Sequence, residues 1–161
     1  MTYIERVLAN DESILHRARL HWIIYVAPAL FVALGVALVS SAPSGDAPGE
    51  VGKVLFLMVG GITFLLSGVV GLVVSWITRF TTEIAITNRR VIVKRGLIVR
   101  KTMEINAKKI ESMQVDQSIM GRVLDFGTVT AFGTGSGFEP MRRVADPLKL
   151  RGAIGQLQSQ S

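Results

Sequence analysis

VLFLMVGGITFLLSGVVGLVVSWI, Val54–Ile77, is twenty-four residues without a charged side chain. As a helix rising about 1.5 Å per residue it reaches roughly 36 Å, enough to cross a hydrocarbon core of about 30 Å with some tilt. A helix on the surface of a soluble domain needs a polar face, and this stretch has none. It reads as a membrane span. The chain before it reads as an approach to the membrane, and the chain after it as cargo held at one face.

A second apolar run, WIIYVAPALFVALGVALV, begins at Trp22 and places a first span over residues 22–40. Trp22 and Tyr25 stand at its start, where amphipathic aromatics favour the headgroup level. Pro28 can kink such a helix without preventing it. A cleaved secretory leader fits less well, because the preceding segment is long and carries Glu5, Asp11 and Glu12. Residues 41–53, rich in Pro, Gly and Ser, read as a flexible extracytoplasmic loop between antiparallel spans. Arg17, Arg19, Arg79, Arg89 and Arg90 flank the outer ends of the hairpin, against Lys53 in the loop. The positive-inside rule then puts both termini in the cytoplasm.

The spans carry rows of small residues at four-residue spacing: Ala29, Ala33 and Ala37 on the first, Ser67, Gly71 and Ser75 on the second. Such rows let backbones approach closely in lipid, either within the hairpin or along a homo-oligomer seam. Neither span contains Asp, Glu, Lys, Arg or His, which argues against an ion or proton pathway.

The net charge of +6 is unevenly placed. Residues 1–21 balance three arginines against three acids, whereas residues 79–161 hold fourteen Lys and Arg against seven acids. The basic character belongs to the C-terminal part. With no cysteine, disulfides and thiolate metal sites are excluded.

In the N-terminal segment 1–21, Thr2 and Glu5 have capping-box spacing for a short helix. Ile14–Leu20 alternates loosely and fits either a strand or a continuation of the coming helix. From Arg79 the period changes to two. Thr82–Ile86, Val91–Val93 and Leu97–Ile105 read as a three-strand meander turning at Asn88-Arg89 and Arg95-Gly96. Ile110–Gln117 is a fourth strand. Ser118 can cap a single helical turn over Ile119–Asp125, which places Ile119, Met120, Val123 and Leu124 on one face. Thr128–Phe132 and Phe138–Val144 complete six strands, with Gly133–Gly137 as a flexible turn and Pro140 marking an edge or a bulge. Asp146-Pro147 starts a final helix whose apolar face is Leu150, Ala153, Ile154 and Leu157, with Gln158–Ser161 fraying.

The runs ITNRRVIVKRGLIVRKTMEI (86–105) and KKIESMQVDQSIMGRVLDFGTVTAFGTG (108–135), the VADP that opens the last helix, and LHW (Leu20–Trp22) before the first span resemble the bacterial pleckstrin-homology-like membrane proteins. The resemblance covers nearly the whole chain. It implies a membrane-anchored α+β protein: a two-helix transmembrane hairpin, then a small PH-like antiparallel β-barrel over 79–161 capped by a C-terminal helix. Such a barrel has seven strands, so the resemblance also implies that the N-terminal segment, through Ile14–Leu20, packs on the C-terminal domain.

The candidate ligand site lies in the meander: Arg89, Arg90, Lys94, Arg95, Arg100 and Lys101, with Lys108, Lys109, Arg142 and Arg143 as further pairs. Tethered below an anionic leaflet, each cation near the surface contributes on the order of 1 kcal/mol of attraction. The same charges also serve a solvated surface that only fixes topology. The resemblance loosely matches these residues to a phosphoinositide site; bacteria generally lack that lipid, so the ligand is not carried over.

Catalytic chemistry has little support. His16 and His21 have no third metal ligand nearby, Ser13, Ser112 and Ser118 have no histidine at a motif spacing, and Gly133–Gly137 lacks the Gly-Lys-Ser/Thr ending of a phosphate loop. Glu83, Glu104, Glu111 and Asp116 read as charge partners on strands. No cofactor or metal is expected. Nucleic acid is not expected either, since stacking aromatics are scarce. The expected partners are anionic lipids of a bacterial inner membrane, a second copy, or a membrane protein. The expected role is a binding or scaffold module, or an accessory subunit whose hairpin is the functional part.

Overall fold

The computed structural model describes residues 7–8, 11–44, 49–96, 101–106, 109–133, 136–137 and 140–159. The side chains of 136–137 and 157–159 are outside that description, as are the Thr2–Glu5 capping box, Arg100, Lys108 and the face position Leu157. Two compact units emerge, Trp22–Ile77 and a second unit combining Met1–His21 with Thr78–Ser161.

In the first unit, a 3₁₀ turn at Trp22–Tyr25 leads into helix α1, Val26–Ser40. Helix α2 runs from Val51 to Thr81, about 46 Å at a helical rise, and its last turn belongs to the second unit. Trp22–Ser40, the 3₁₀ turn together with α1, and Val51–Thr81 are both long and apolar enough to cross a membrane. Helix α2 extends beyond the uncharged stretch at both ends, because Lys53 and Arg79 interrupt hydrophobicity but not helix propensity. Arg79 in its last turn also complements the helix dipole.

The two helices meet along Pro28, Val32, Gly35 and Val39 on α1 and Gly61, Leu65, Gly68 and Gly71 on α2. Glycine is required by space here. A Cβ at Gly68 would fall 2.7 Å from the Val32 amide nitrogen and 2.9 Å from the Pro28 carbonyl oxygen. Ser75 Oγ reaches the Ile24 carbonyl oxygen at 3.1 Å. Of the small residues singled out in the sequence, Gly71 and Ser75 therefore face α1. Ala29, Ala33, Ala37 and Ser67 are exposed, and Ser67 Oγ bonds back to Thr63 O in its own helix at 2.8 Å.

The second unit contains two four-stranded antiparallel sheets. The first has the order β1 (Ile14–Ala18), β2 (Glu83–Thr87), β3 (Arg90–Arg95), β4 (Lys101–Asn106). Strand β1 pairs with β2 through His16↔Ile86, Arg17↔Ala85 and Ala18↔Ile84. The second sheet joins β5 (Ile110–Asp116) to β6 (Phe126–Gly133), with β7 (Ser136–Gly137) and β8 (Met141–Ala145) both pairing with β6. Among the described residues the strands do not close into the barrel expected from the sequence. The two sheets share only the bridge Leu20↔Val144 outside the named strands. Register shifts interrupt three of the strand pairings, β1–β2, β5–β6 and β6–β8. Among the described residues seven strands follow α2 rather than six, because Ser136–Gly137 pairs with Phe132 and Gly133.

Alternation makes the core. Ala18, Ile84, Ile86, Val91, Val93 and Ile105 line the inner face of the first sheet and meet Ile110, Val129, Ala131, Met141 and Val144 of the second. Helix α3 (Ile119–Val123) connects β5 to β6, and helix α4 (Pro147–Ser159) inserts Leu150 and Ile154, both fully buried, into that core.

Candidate functional site

Arg17 and Arg19 alternate with the buried Ala18, so both point away from the core. The β1–β2 register sets Arg17 opposite Ala85 and Ala18 opposite Ile84, which brings Arg19 level with Glu83. Arg79 and the exposed Phe80 enter from the last turn of α2. Within the second unit these residues and Thr82 enclose a cleft of about 600 Å³. Three guanidinium groups and one carboxylate line it.

Among the described residues Glu83 is the one acid that lines this cleft. Its Oε1 lies 3.7 Å from Lys94 Nζ, while its Oε2 is buried without a hydrogen-bond partner among the described residues. Guanidinium groups present planar forks of N–H donors, the geometry that matches carboxylate and phosphate oxygens.

The cations singled out in the meander do not converge. Arg89 and Arg90 stand at one end of β3, and Lys94, Arg95 and Lys101 at the other, about 17 Å away at strand rise. Arg89 pairs with Asp11 at 3.3 Å on an exposed edge. Arg90 is saturated. It donates through Nε and Nη2 to Glu12 at 2.8 and 2.7 Å, through Nη1 to Glu104 at 2.6 Å, and through Nη2 to Val7 O at 3.1 Å. These bonds, led by Glu12, raise its already high pKa further. Lys94 faces Glu83, and Arg95 donates to Pro140 O at 3.0 Å. Lys101 is exposed opposite Arg95; Arg100 lies outside the described residues.

Other candidates have local explanations. The His21 ring stacks on Phe126 with centroids 5.2 Å apart. Among the described residues no three His, Asp or Glu side chains group as metal ligands. Ser118 Oγ accepts from the Gly121 amide at 3.1 Å, a helix cap. Lys149 Nζ reaches Asp146 Oδ1 at 2.9 Å and holds Asp146 below the usual carboxylate range, while the hydrogen bond that Asp125 donates to Asp146 raises Asp125.

The sequence reading treated Arg17, Arg19 and Arg79 as markers of orientation only. Their convergence had one legible signal. Arg17 and Arg19 are two apart in the alternating stretch before the first apolar run, and Arg79 follows directly on the second.

A basic cleft on a domain of two antiparallel sheets suggests a binding or scaffold module. The chain belongs to the bacterial PH-domain family: the family model described as Bacterial PH domain matches residues 29–158, from within the first apolar helix to the C-terminal helix. PH domains are generally non-catalytic modules. Among solved structures, the chain is similar to a DUF1696 family protein with a pleckstrin-homology domain from Shewanella loihica. That similarity is 15% in sequence, with a TM-score of 0.38, over 48% of this chain and 70% of the other. No curated protein matches significantly.

Proposed function

We propose that the protein is a membrane-anchored PH-like binding module that holds an anionic lipid headgroup in the cleft of Arg17, Arg19 and Arg79. The observation that carries this reading is the position of those three arginines. Each lies within five residues of an apolar helix or in its last turn, and all line one cleft. In an anionic leaflet, juxtamembrane cations meet phosphate directly.

Insertion of the hairpin is supported by its surface. Leu30, Phe31, Leu34, Leu55, Phe56 and Leu66 are all exposed, and an apolar surface of that kind is unstable in water but suited to lipid. The excess of cations at the outer ends of the hairpin supports cytoplasmic termini and a 41–53 loop outside, at a bacterial inner membrane. The reading assigns no catalytic residue and no cofactor. The meander cations Arg89, Lys94, Arg95, Arg100 and Lys101 act as a diffuse electrostatic dock, and Arg90 as a structural tie.

A second reading is favoured by one observation. Ala29, Ala33 and Ala37 face away from the hairpin seam, so their row is open to another helix, as in a homo-oligomer. Native mass spectrometry of the full chain, released from mild detergent with equimolar phosphatidylglycerol and phosphatidylcholine, separates the two. Monomers that retain phosphatidylglycerol support the headgroup reading. Oligomers without bound lipid support the second.

A further inference from the structure

Ile119, Met120 and Val123 are 83%, 61% and 75% exposed, although a helical turn in a domain of this size normally buries such residues. Their exposure is built in. The buried residue of α3 is Gly121, where a Cβ would fall 2.6 Å from the Phe126 carbonyl oxygen. Gln117 Nε2 bonds both Gly121 O and Phe126 O at 3.3 Å, and Ser118 caps the turn. The turn is thus docked through backbone and polar groups, and its three large apolar side chains are left pointing outward.

A second basic cleft, of about 550 Å³, lies beside it. Arg122, from the turn, and Arg143, from β8, both line it. Arg143 is delivered by a bulge. Between the pairs Gly127↔Val144 and Val129↔Met141, β8 has one residue more than β6, and Arg143 adopts φ 56°. Arg142 and Arg143 are therefore both exposed. Among the described residues no carboxylate pairs with Arg122 or Arg143. Asp116, the acid lining the cleft, accepts from Gln114 Nε2 at 3.0 Å.

The base of the turn is tied to the residues that precede the first apolar helix in the chain. Phe126 stacks on His21, the His21 amide donates to Arg143 O at 2.8 Å, and the Ala145 amide donates to Arg19 O at 3.0 Å. Trp22, the next residue, opens that helix.

We propose that α3 is a membrane-interface wedge: Ile119, Met120 and Val123 enter the boundary between headgroups and acyl chains, and Arg122 and Arg143 take lipid phosphates beneath them. Apolar prongs flanked by cations are the composition of interfacial anchors. Three side chains cannot supply the roughly 1,200 Å² that a stable protein interface buries, which disfavours a second copy as occupant. The proposal rests on the membrane reading of the helices, but it is independent of the headgroup cleft at Arg17.

The chain has no cysteine, so single thiols report cleanly. Met120→Cys and, separately, Leu55→Cys in the full chain are labelled with an environment-sensitive nitrobenzoxadiazole dye and placed in phosphatidylglycerol nanodiscs. Lipids brominated near the headgroup end of the acyl chain then act as quenchers. The wedge predicts blue-shifted emission at position 120 that brominated lipid quenches, and loss of that quenching in Arg122→Gln/Arg143→Gln. Quenching at 55 with water-like, unquenched emission at 120 overturns the wedge and leaves the membrane reading intact. Absence of quenching at both positions overturns both. A blue shift at 120 that brominated lipid does not quench, and that fades as the protein is diluted in lipid, also overturns the wedge and assigns the face to a second copy.

Discussion

Ser75 caps the carbonyl that Pro28 leaves open. In an α-helix the Ile24 carbonyl would accept from the amide of residue 28, and proline has none. Ser75 Oγ, from the opposite helix, fills the position at 3.1 Å. The same proline packs its ring against Gly71, where a Cβ would approach it to 2.9 Å. One residue thus sets both the start of α1 and the seam with α2. Ser75→Ala should weaken the hairpin by about 0.6 kcal/mol, and by no more than about 1.7 kcal/mol, the range for hydrogen bonds between helices in lipid. Reversible unfolding of the full chain in mixed micelles measures it.

The glycines of α2 divide into two kinds, which supplies an internal control. Gly68→Ala should cost about 1–3 kcal/mol, because besides the Val32 side chain it meets the Val32 amide nitrogen and the Pro28 carbonyl oxygen, backbone atoms of α1 that cannot turn aside. Gly60→Ala, with nothing within 4 Å, should be neutral or slightly stabilising. The same unfolding measurement compares them. Equal losses at both positions would contradict the seam.

Arg90 should matter for the fold rather than for the ligand. The Glu12 side chain is 1% exposed, and that of Arg90 26% exposed. Glu12 Oε1 also accepts from Thr87 Oγ1 at 2.6 Å. Removing one member of a buried pair costs about 3–5 kcal/mol, and the partial exposure of Arg90 brings Glu12→Gln to the lower end of that range. Faster hydrogen exchange across 83–95, with the anionic-lipid count in native spectra unchanged, is the expected outcome.

Asp125 and Asp146 share a hydrogen bond but shift in opposite directions. Asp146 is lowered, by Lys149 first. Its contribution is present above the ordinary aspartate pKa of about 3.9 and is lost as pH falls through its lower folded value. Asp125 is raised, by the bond to Asp146 first. Its contribution is present at acid pH and is lost as pH rises through its raised value. Asp125→Asn keeps a donor toward Asp146 without the second charge, and asparagine tolerates the φ of 55° at this position. The variant should gain melting temperature at pH 7 relative to the parent, and the gain should shrink at acid pH, as Asp125 takes up its own proton. Thermal scans at both pH values decide.

What the sequence made legible follows from the range of the interactions involved. The long apolar runs and the Ser118 cap are local, and the helices at Val51–Thr81 and Ile119–Val123 carry them. The hairpin seam was harder to read. Small residues occur on several faces of both helices, and the one used is fixed by Pro28, Val32, Gly35 and Val39 meeting glycines. Hydrophobic periodicity also cannot show that α3 docks through Gly121 and displays Ile119, Met120 and Val123. Nor does a run of paired cations reveal which are consumed. Arg90 finds Glu12 and Glu104 only once β1, β3 and β4 are assembled, and Arg17 meets Arg79 only through the β1–β2 pairing. Charge density drew attention to the meander, whereas a cleft depends on convergence.

The central claim concerns the cleft of Arg17, Arg19 and Arg79. Its most direct test is hydrogen exchange of the full chain in phosphatidylglycerol nanodiscs compared with phosphatidylcholine nanodiscs, resolved by peptide. The account predicts slower exchange in the anionic discs over 14–20 and 79–87, abolished in Arg17→Gln/Arg19→Gln/Arg79→Gln. Identical exchange in both discs, or a difference confined to 94–101, would contradict it.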